Sequence, residues 1–243
     1  MTRKYLILRL DAPLMSFGDV AVDNYGFTDI WPAASMLTGL IGNALGYDRT
    51  EGEKLNRLQQ RLDFACRLDR PGRPVKDFQT AALNKDDQGW TTRGAPEGRA
   101  GGPGTYLGKH IRYRDFIADA VVVVALTLRQ QEEVPAIEDV SAAFLTPARP
   151  LFIGRKPCLP SRPVHAGERV EAPDALSAVC AAARDQFADL NDKPRITWRG
   201  ESVNAPGRKR DRRVYGERNW VGGVHGGEQL WREAEFRWPE GTR

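Results

Sequence analysis

The sequence is short of the residues on which most catalytic and extracellular architectures depend. Its 243 residues hold three cysteines, Cys66, Cys158 and Cys180, spaced 92 and 22 apart with no CxxC pair, and three histidines, His110, His165 and His225. This excludes a disulfide framework and leaves no zinc-ligand spacing, and an odd, scattered set of thiols fits a reducing compartment. The longest apolar runs, Tyr5–Leu8 and Ala120–Leu126, fall far below the ~20 residues of a membrane-spanning helix. Only four apolar residues separate Lys4 from Arg9, so no secretory leader is expected and the cytoplasm is the expected location. GxSxG, HExxH and a Walker lysine after a glycine loop are missing, and the GGVHGG stretch around His225 has no second histidine and reads as a turn. No metal or cofactor is expected.

What is present is ordinary globular composition with an uneven charge. Hydrophobic residues make up 41% and charged residues 28% of a 27.1 kDa chain, which suits one elaborated domain or two small ones sharing a core. The formal net charge is +4, yet three windows concentrate the cations. Residues 89–114 set Arg93, Arg99, Lys109, Arg112 and Arg114 against Glu97. Residues 147–169 set Arg149, Arg155, Lys156, Arg162 and Arg169 against Glu168. Residues 194–218 set Arg195, Arg199, Arg208, Lys209, Arg210, Arg212, Arg213 and Arg218 against Glu201, Asp211 and Glu217. Arginine binds phosphate bidentately and stacks on bases. Clustered arginine with interleaved Tyr106, Tyr113, Phe116, Trp198, Tyr215 and Trp220 is the composition of a single-stranded nucleic-acid groove.

The coarse element order is readable. KYLILRL is apolar on both faces, as a central strand must be. After a turn-rich stretch, Pro32 opens a helix carrying Met36, Leu37, Leu40, Ile41, Ala44 and Leu45 on one face, with Gly39, Gly42 and Gly46 permitting close packing. Leu55, Leu58 and Leu62 mark a second helix, and Phe64, Cys66 and Leu68 alternate as a strand. Val75–Leu83 reads as another strand, residues 84–108 as a glycine-rich arm, and Ile111–Phe116 and Ala118–Leu128 as strands. A helix from Pro135 to Pro147 and a strand edge at LFIGRKP complete a split β-α-β pattern of the ferredoxin-like, α+β class. Beyond it follow a helix over Pro173–Phe187 and short strands at Arg195–Trp198, Arg213–Tyr215, Trp220–Val224 and Leu230–Trp238. The expected organisation is a domain over 1–154 with an inserted thumb at about 77–116, and a β-rich extension over 155–243 packed on the same core.

Five motifs in order, YLILRLDAPLMSFG, PAASMLTGLIGNALG, RYRDFIADAVVVVAL, PARPLFIGRKPCLPSRP and RRVYGERNWVGGVHGG, resemble those of the CasD family of type I-E CRISPR Cascade subunits, within the RAMP superfamily. The resemblance implies an RNA-recognition-motif-like fold with a thumb-like β-hairpin. It implies a non-catalytic, RNA-binding role: gripping the 5′ handle of the CRISPR RNA, capping the CasC backbone and docking the CasA large subunit, with target DNA met only through the complex. The loop Ile153–Cys158 matches the family's RNA-backbone loop, so Gly154 would permit backbone approach while Arg155 and Lys156 neutralise phosphates. Met15, Ser16, Phe17 and Gly18 match the loop after the first strand, with Met15 and Phe17 placed either against bases or in the core. Arg112 and Arg114, with Lys109, stand at the base of the thumb; Arg149 belongs to the basic loop region; Trp90 falls in the thumb. Relatives often carry a basic residue at the start of the glycine helix, whereas here only Ser35 is polar, leaving contact to Ser35 or the helix-end amides. Arg208, Lys209, Arg210, Arg212 and Arg213 lie outside the best-matched motifs and are assigned to nucleic acid, a partner subunit or solvent.

Two other readings stay open. Lys109 and His110 with Tyr106 or Tyr113 have the chemical types for metal-independent RNA cleavage, as in type I-C relatives, although adjacent strand residues face opposite sides. A generic single-strand binder outside CRISPR is the third.

Overall fold

Strand β1 (Arg3–Asp11) is apolar on both faces because both faces are covered: Leu6, Leu8 and Leu10 join one buried cluster and Tyr5 and Ile7 another. In the computed structural model, which describes residues 2–19, 24–82, 109–184, 193–202, 204–206 and 208–238, this strand pairs with β7 (Val121–Leu128) and β8 (His165–Ala172). The same two-sided burial accounts for β7, whose eight residues are all buried, and for β4 (Leu62–Arg70). The main sheet adds β9 (Arg195–Arg199), β10 (Arg210–Val214) and β13 (Gln229–Glu235), in the order β10-β13-β9-β4-β7-β1-β8. Every neighbouring pair is antiparallel. Helices α1 (Ala34–Leu45), α2 (Gly52–Arg61) and α3 (Ile137–Leu145) cover one face, and α4 (Ala175–Ala181) the other.

The central four strands, β4-β7-β1-β8, with α1 and α3 as crossovers, form the ferredoxin-like arrangement expected from the element order. Three details differ. The fourth core strand is His165–Ala172, beyond residue 154, while Leu151–Lys156 forms a loop. The described part of the helix read over Pro173–Phe187 ends at Ala181. Trp220–Gly223 form a turn between β11 (Arg218–Asn219) and β12 (Val224–His225), because Asn219 accepts from the amides of Val221 and Gly222 and its carbonyl from Gly223.

A smaller sheet carries β2 (Leu14–Met15), β3 (Tyr25–Gly26), β5 (Arg73–Ala81) and β6 (His110–Ala118). β5 and β6 pair from Arg73↔Ala118 to Ala81↔His110, a ribbon at the root of the expected thumb. The glycine arm, Trp90 and Tyr106 lie outside the described residues, as does the His110 side chain. Among the described residues no helix is long and apolar enough to cross a membrane.

Candidate nucleic-acid interface

The loop after α3 is clamped onto the loop after β1. Ser16 donates its amide to the Ile153 carbonyl at 3.2 Å, Ile153 donates to Cys158 at 2.8 Å, and Cys158 donates to Arg155 at 2.8 Å. Ile153 and Cys158 are buried, so both ends of the loop are held by packing. Gly154 sits at φ +90°, and a Cβ there would lie 1.5 Å from the Ser16 carbonyl oxygen; no side chain fits. Burial pushes the Cys158 thiol up, which makes it a packing residue.

Arg155 reaches sideways from this clamp, donating to the carbonyls of Asp115 and Gly26, both at 2.9 Å. Its guanidinium lies 4.9 Å from the Phe116 ring centre. Gly26 makes this possible: a Cβ there would stand 2.7 Å from an Arg114 nitrogen and 2.9 Å from an Arg155 nitrogen. Burial first, and then the Arg114 charge, push the Arg155 guanidinium down. Two cations thus share one glycine-lined spot, and neither has a carboxylate ion pair among the described residues.

These residues form one wall of an open cleft of about 360 Å³. It brings together Ser16, Phe17, Gly18, Ser35, Arg114, Gly154 and Arg155 from the sequence-derived set. Its other wall comes from residues that sequence reasoning left out of the site: Gly39, Arg218, Trp220 and His225. Gly39 leaves room for Trp220, whose ring edge would sit 3.5 Å from a Cβ there. Trp220 is fixed by donating its amide to Asn56 at 2.8 Å and its indole N–H to Gln59 at 3.2 Å. Arg218 lies over that indole at 5.1 Å, its Nε is buried without a hydrogen-bond partner among the described residues, and burial and the nearby Arg49 charge push it down. Arg114, Arg155 and Arg218 therefore converge with Asp19 as the acid on the lining. Three cations converging beside a single acid leave an excess of positive charge that favours an incoming anion.

Other expected residues are placed elsewhere. Met15 is a core side chain, 0% exposed, and Phe17, although it borders the cleft, is 1% exposed, so both pack in the core. The Ser35 amide donates to the Gly216 carbonyl at 2.9 Å, so that helix-end amide is taken. Arg149 donates to the carbonyls of Tyr47 and Gly46 at 2.8 and 3.1 Å and thereby caps the C-terminal end of α1. Arg112 is half-buried and donates to the carbonyl of Ile111 at 3.0 Å. Lys109 and Lys156 are exposed and form no ion pair among the described residues.

The C-terminal arginine run is largely neutralised. Arg210 and Arg195 share the buried carboxylate of Glu233, which also accepts the indole N–H of Trp31 at 3.3 Å. Burial raises the Glu233 carboxyl, but these hydrogen bonds and the Arg195 charge outweigh it and hold the group below the usual carboxylate range. Arg212 pairs with Asp29, Arg213 with Glu228 at 3.3 Å, and Lys209 with Glu201 at 3.9 Å. Arg208 is exposed beside them.

One pair imitates catalytic chemistry. Ser141 Oγ lies 2.9 Å from His165 Nε2. The Gly167 amide donates to His165 Nδ1 at 2.7 Å, so in the neutral ring the proton is on Nε2 and is donated to Ser141. Arg169 donates to the same oxygen at 3.0 Å. A hydroxyl oxygen accepting two donors, from a histidine that cannot take its proton, is not an activated nucleophile. Burial raises the Cys66 thiol well above its ordinary value and Cys180 to about 11. Among the described residues no three His, Cys, Asp or Glu side chains group as metal ligands.

The chain has relatives among known proteins. Residues 5–229 match the family described as CRISPR-associated protein (Cas_Cas5). Over 195 residues the chain is 29% identical to the CRISPR system Cascade subunit CasD of Escherichia coli (strain K12), covering 79% of this chain and 78% of that protein. A chain of a CRISPR RNA-guided surveillance complex superposes with a TM-score of 0.70 at 21% identity, covering 98% of this chain and 92% of its own. A structure titled "Crystal structure of Cas protein" gives a TM-score of 0.60 at 23% identity, covering 98% and 100%. The architecture is ferredoxin-like, and the chain, matched over nearly its whole length, belongs to the CRISPR-associated protein (Cas_Cas5) family.

Proposed function

We propose that this protein is a non-catalytic, RNA-binding subunit of a type I-E Cascade complex in the cytoplasm. In this reading it grips the 5′ handle of the CRISPR RNA in the glycine-lined cleft, caps the CasC backbone, docks CasA, and meets target DNA only through the assembled complex. The observation that carries the reading is the convergence of Arg114, Arg155 and Arg218, without carboxylate ion pairs among the described residues, on a cleft whose floor at Gly154 and Gly26 excludes side chains. A phosphodiester backbone supplies the missing negative charge, and the two glycines let the Ser16 backbone and the Arg114 and Arg155 side chains close up around that space. The Escherichia coli relative is a Cascade subunit, and its kinship supports the same assembly here.

The test is to tag the chain in its native host, purify it gently, identify the co-purifying chains and sequence the RNA. Short RNAs with one constant 5′ leader in a multi-subunit complex are the expected result. A lone protein with random RNA or none overturns the reading. Cleavage of repeat RNA in EDTA by the purified chain, abolished by His110→Ala, would establish instead the endoribonuclease alternative; the proposal expects intact RNA.

A further inference from the structure

The thumb-root ribbon carries a second feature that the cleft does not absorb. Tyr25 and Phe27 alternate about Gly26 on and beyond β3, while Phe78 on β5 stands directly opposite Tyr113 on β6, and Tyr25 pairs with Tyr113 in the parallel register. Side chains alternate along a strand, so these four rings share one face of the ribbon, and Gly26, Arg112 and Arg114 share the other. Phe27 stacks on Tyr25 with ring centres 5.9 Å apart and planes 9° apart. Tyr25 stacks on Tyr113 at 4.9 Å and 11°, and Phe78 meets Tyr113 edge-on at 5.6 Å. The rings form a ladder across three strands, with Tyr113 half-buried at its centre and the other three exposed: Tyr25 40%, Phe27 37%, Phe78 56%. The Lys76 ammonium lies 5.9 Å from the Tyr25 ring centre.

Three further facts bear on what such a ladder would hold. Phe27 is also a lining residue of the cleft, so the ladder begins where the cleft ends. The cations Arg114, on the opposite face of the ribbon, and Arg155 line that cleft with Phe27 and have no carboxylate ion pairs among the described residues, which suits a polyanion better than an apolar protein surface. Exposed aromatic rings on a sheet beside arginines are the general means of holding single-stranded bases, because every base offers a π-face.

We propose that the Phe27–Tyr25–Tyr113–Phe78 ladder is a nucleobase-stacking platform that takes bases of the single strand held in the cleft and leads the strand onto the thumb-root ribbon. The proposal rests on the RNA-binding reading above and adds an uncharged, sequence-tolerant part to it. Phosphate contacts in the cleft set the salt dependence of binding, and stacking on the ladder adds affinity that salt leaves largely untouched.

The test uses the full chain and a labelled synthetic RNA copying the constant leader of the co-purifying guide, titrated at several salt concentrations. Tyr25→Leu and Phe27→Leu keep apolar bulk but remove the ring; each is expected to weaken binding roughly 5- to 150-fold with an unchanged salt slope. Tyr25→Phe and Phe27→Tyr are expected to restore it. Leaders with single abasic nucleotides, scanned against the unaltered protein, are expected to lose affinity at one or two positions and to show no additional loss with Phe27→Leu. This arm reads the proposal even where a leucine variant fails to fold. Leucine variants and abasic leaders that bind within two-fold of the originals overturn the platform, including the case in which the variants instead lose thermal stability or a partner subunit. Failure of the unaltered chain to bind the leader at all overturns the underlying RNA reading, and the platform with it.

Discussion

In the cleft, Arg114, Arg155 and Arg218 face a common space without a carboxylate ion pair among the described residues, whereas in the C-terminal strand pair almost every arginine has one. There Arg195 and Arg210 share Glu233, Arg212 holds Asp29, and Arg213 holds Glu228. By sequence the second region is the more basic: apart from Arg218 itself, residues 194–218 hold seven cations against three acids. The structure reverses the order of available charge. An arginine whose partner is built into the fold holds strands together, while one resting only on carbonyls and an aromatic ring keeps its charge for a ligand. Clustered cations therefore locate a binding surface only after their acids have been found.

The comparison breaks most severely if the cleft is lost without touching a charge. Gly154→Ala places a methyl group on the Ser16 carbonyl and requires a left-handed backbone; a loss of about 3–4 kcal/mol in urea denaturation, together with loss of RNA binding, is expected. The converse change tests the paired region. Glu233→Ala leaves Arg195, Arg210 and the Trp31 indole without their acceptor, and should cost about 1–2 kcal/mol of stability with RNA affinity retained. That is below the value for a fully buried pair, because Arg195 and Arg210 are 37% and 67% exposed and regain water. Sharpening the contrast at single positions, Arg218→Ala should lower the salt slope of RNA binding by about 0.7, the value for one phosphate on a single strand. Arg213→Ala should leave the slope unchanged in the same titration.

The smallest effect concerns pH. Burial, followed by the charges of Arg169 and Arg218 respectively, pushes His165 and His225 below their ordinary 6.5. The unfolded chain then takes up protons before the folded one, so their contribution is present above about 6.5 and is lost as pH falls through the lowered values. A small fall in melting temperature between pH 7 and pH 5 is expected, reduced in His165→Asn, which cannot be protonated.

Much of the scaffold was legible because its signals are local. Two-sided apolar strands, the one-face periodicity of α1 and the proline-bounded α3 each follow from their own residues. The fourth core strand escaped because β8, HAGERVEA, is a half-covered edge strand with little apolar content, while LFIG looks like a strand only because Ile153 is buried to clamp the loop. The cleft was half legible. Two matched loops led to it, Ile153–Cys158 to Gly154 and Arg155 and the loop after the first strand to Ser16, but Arg218 and Trp220 arrive through long-range contacts with α2, at Gln59 and Asn56. Tyr25 and Phe27 lie in a turn-rich stretch with no strand pattern, and only pairing with β6 brings them beside Tyr113. Arg149 shows what a charge window does not reveal: its hydrogen bonds cap a helix.

The central claim, that binding charge resides in the cleft and not in the C-terminal run, is tested most directly by comparing two charge-matched double variants in one salt titration of RNA binding. Arg114→Gln with Arg218→Gln should flatten the slope by about 1.4 and weaken binding, while Arg212→Gln with Arg213→Gln should leave both unchanged. Equal flattening by the two pairs, or flattening by the C-terminal pair alone, would contradict the account.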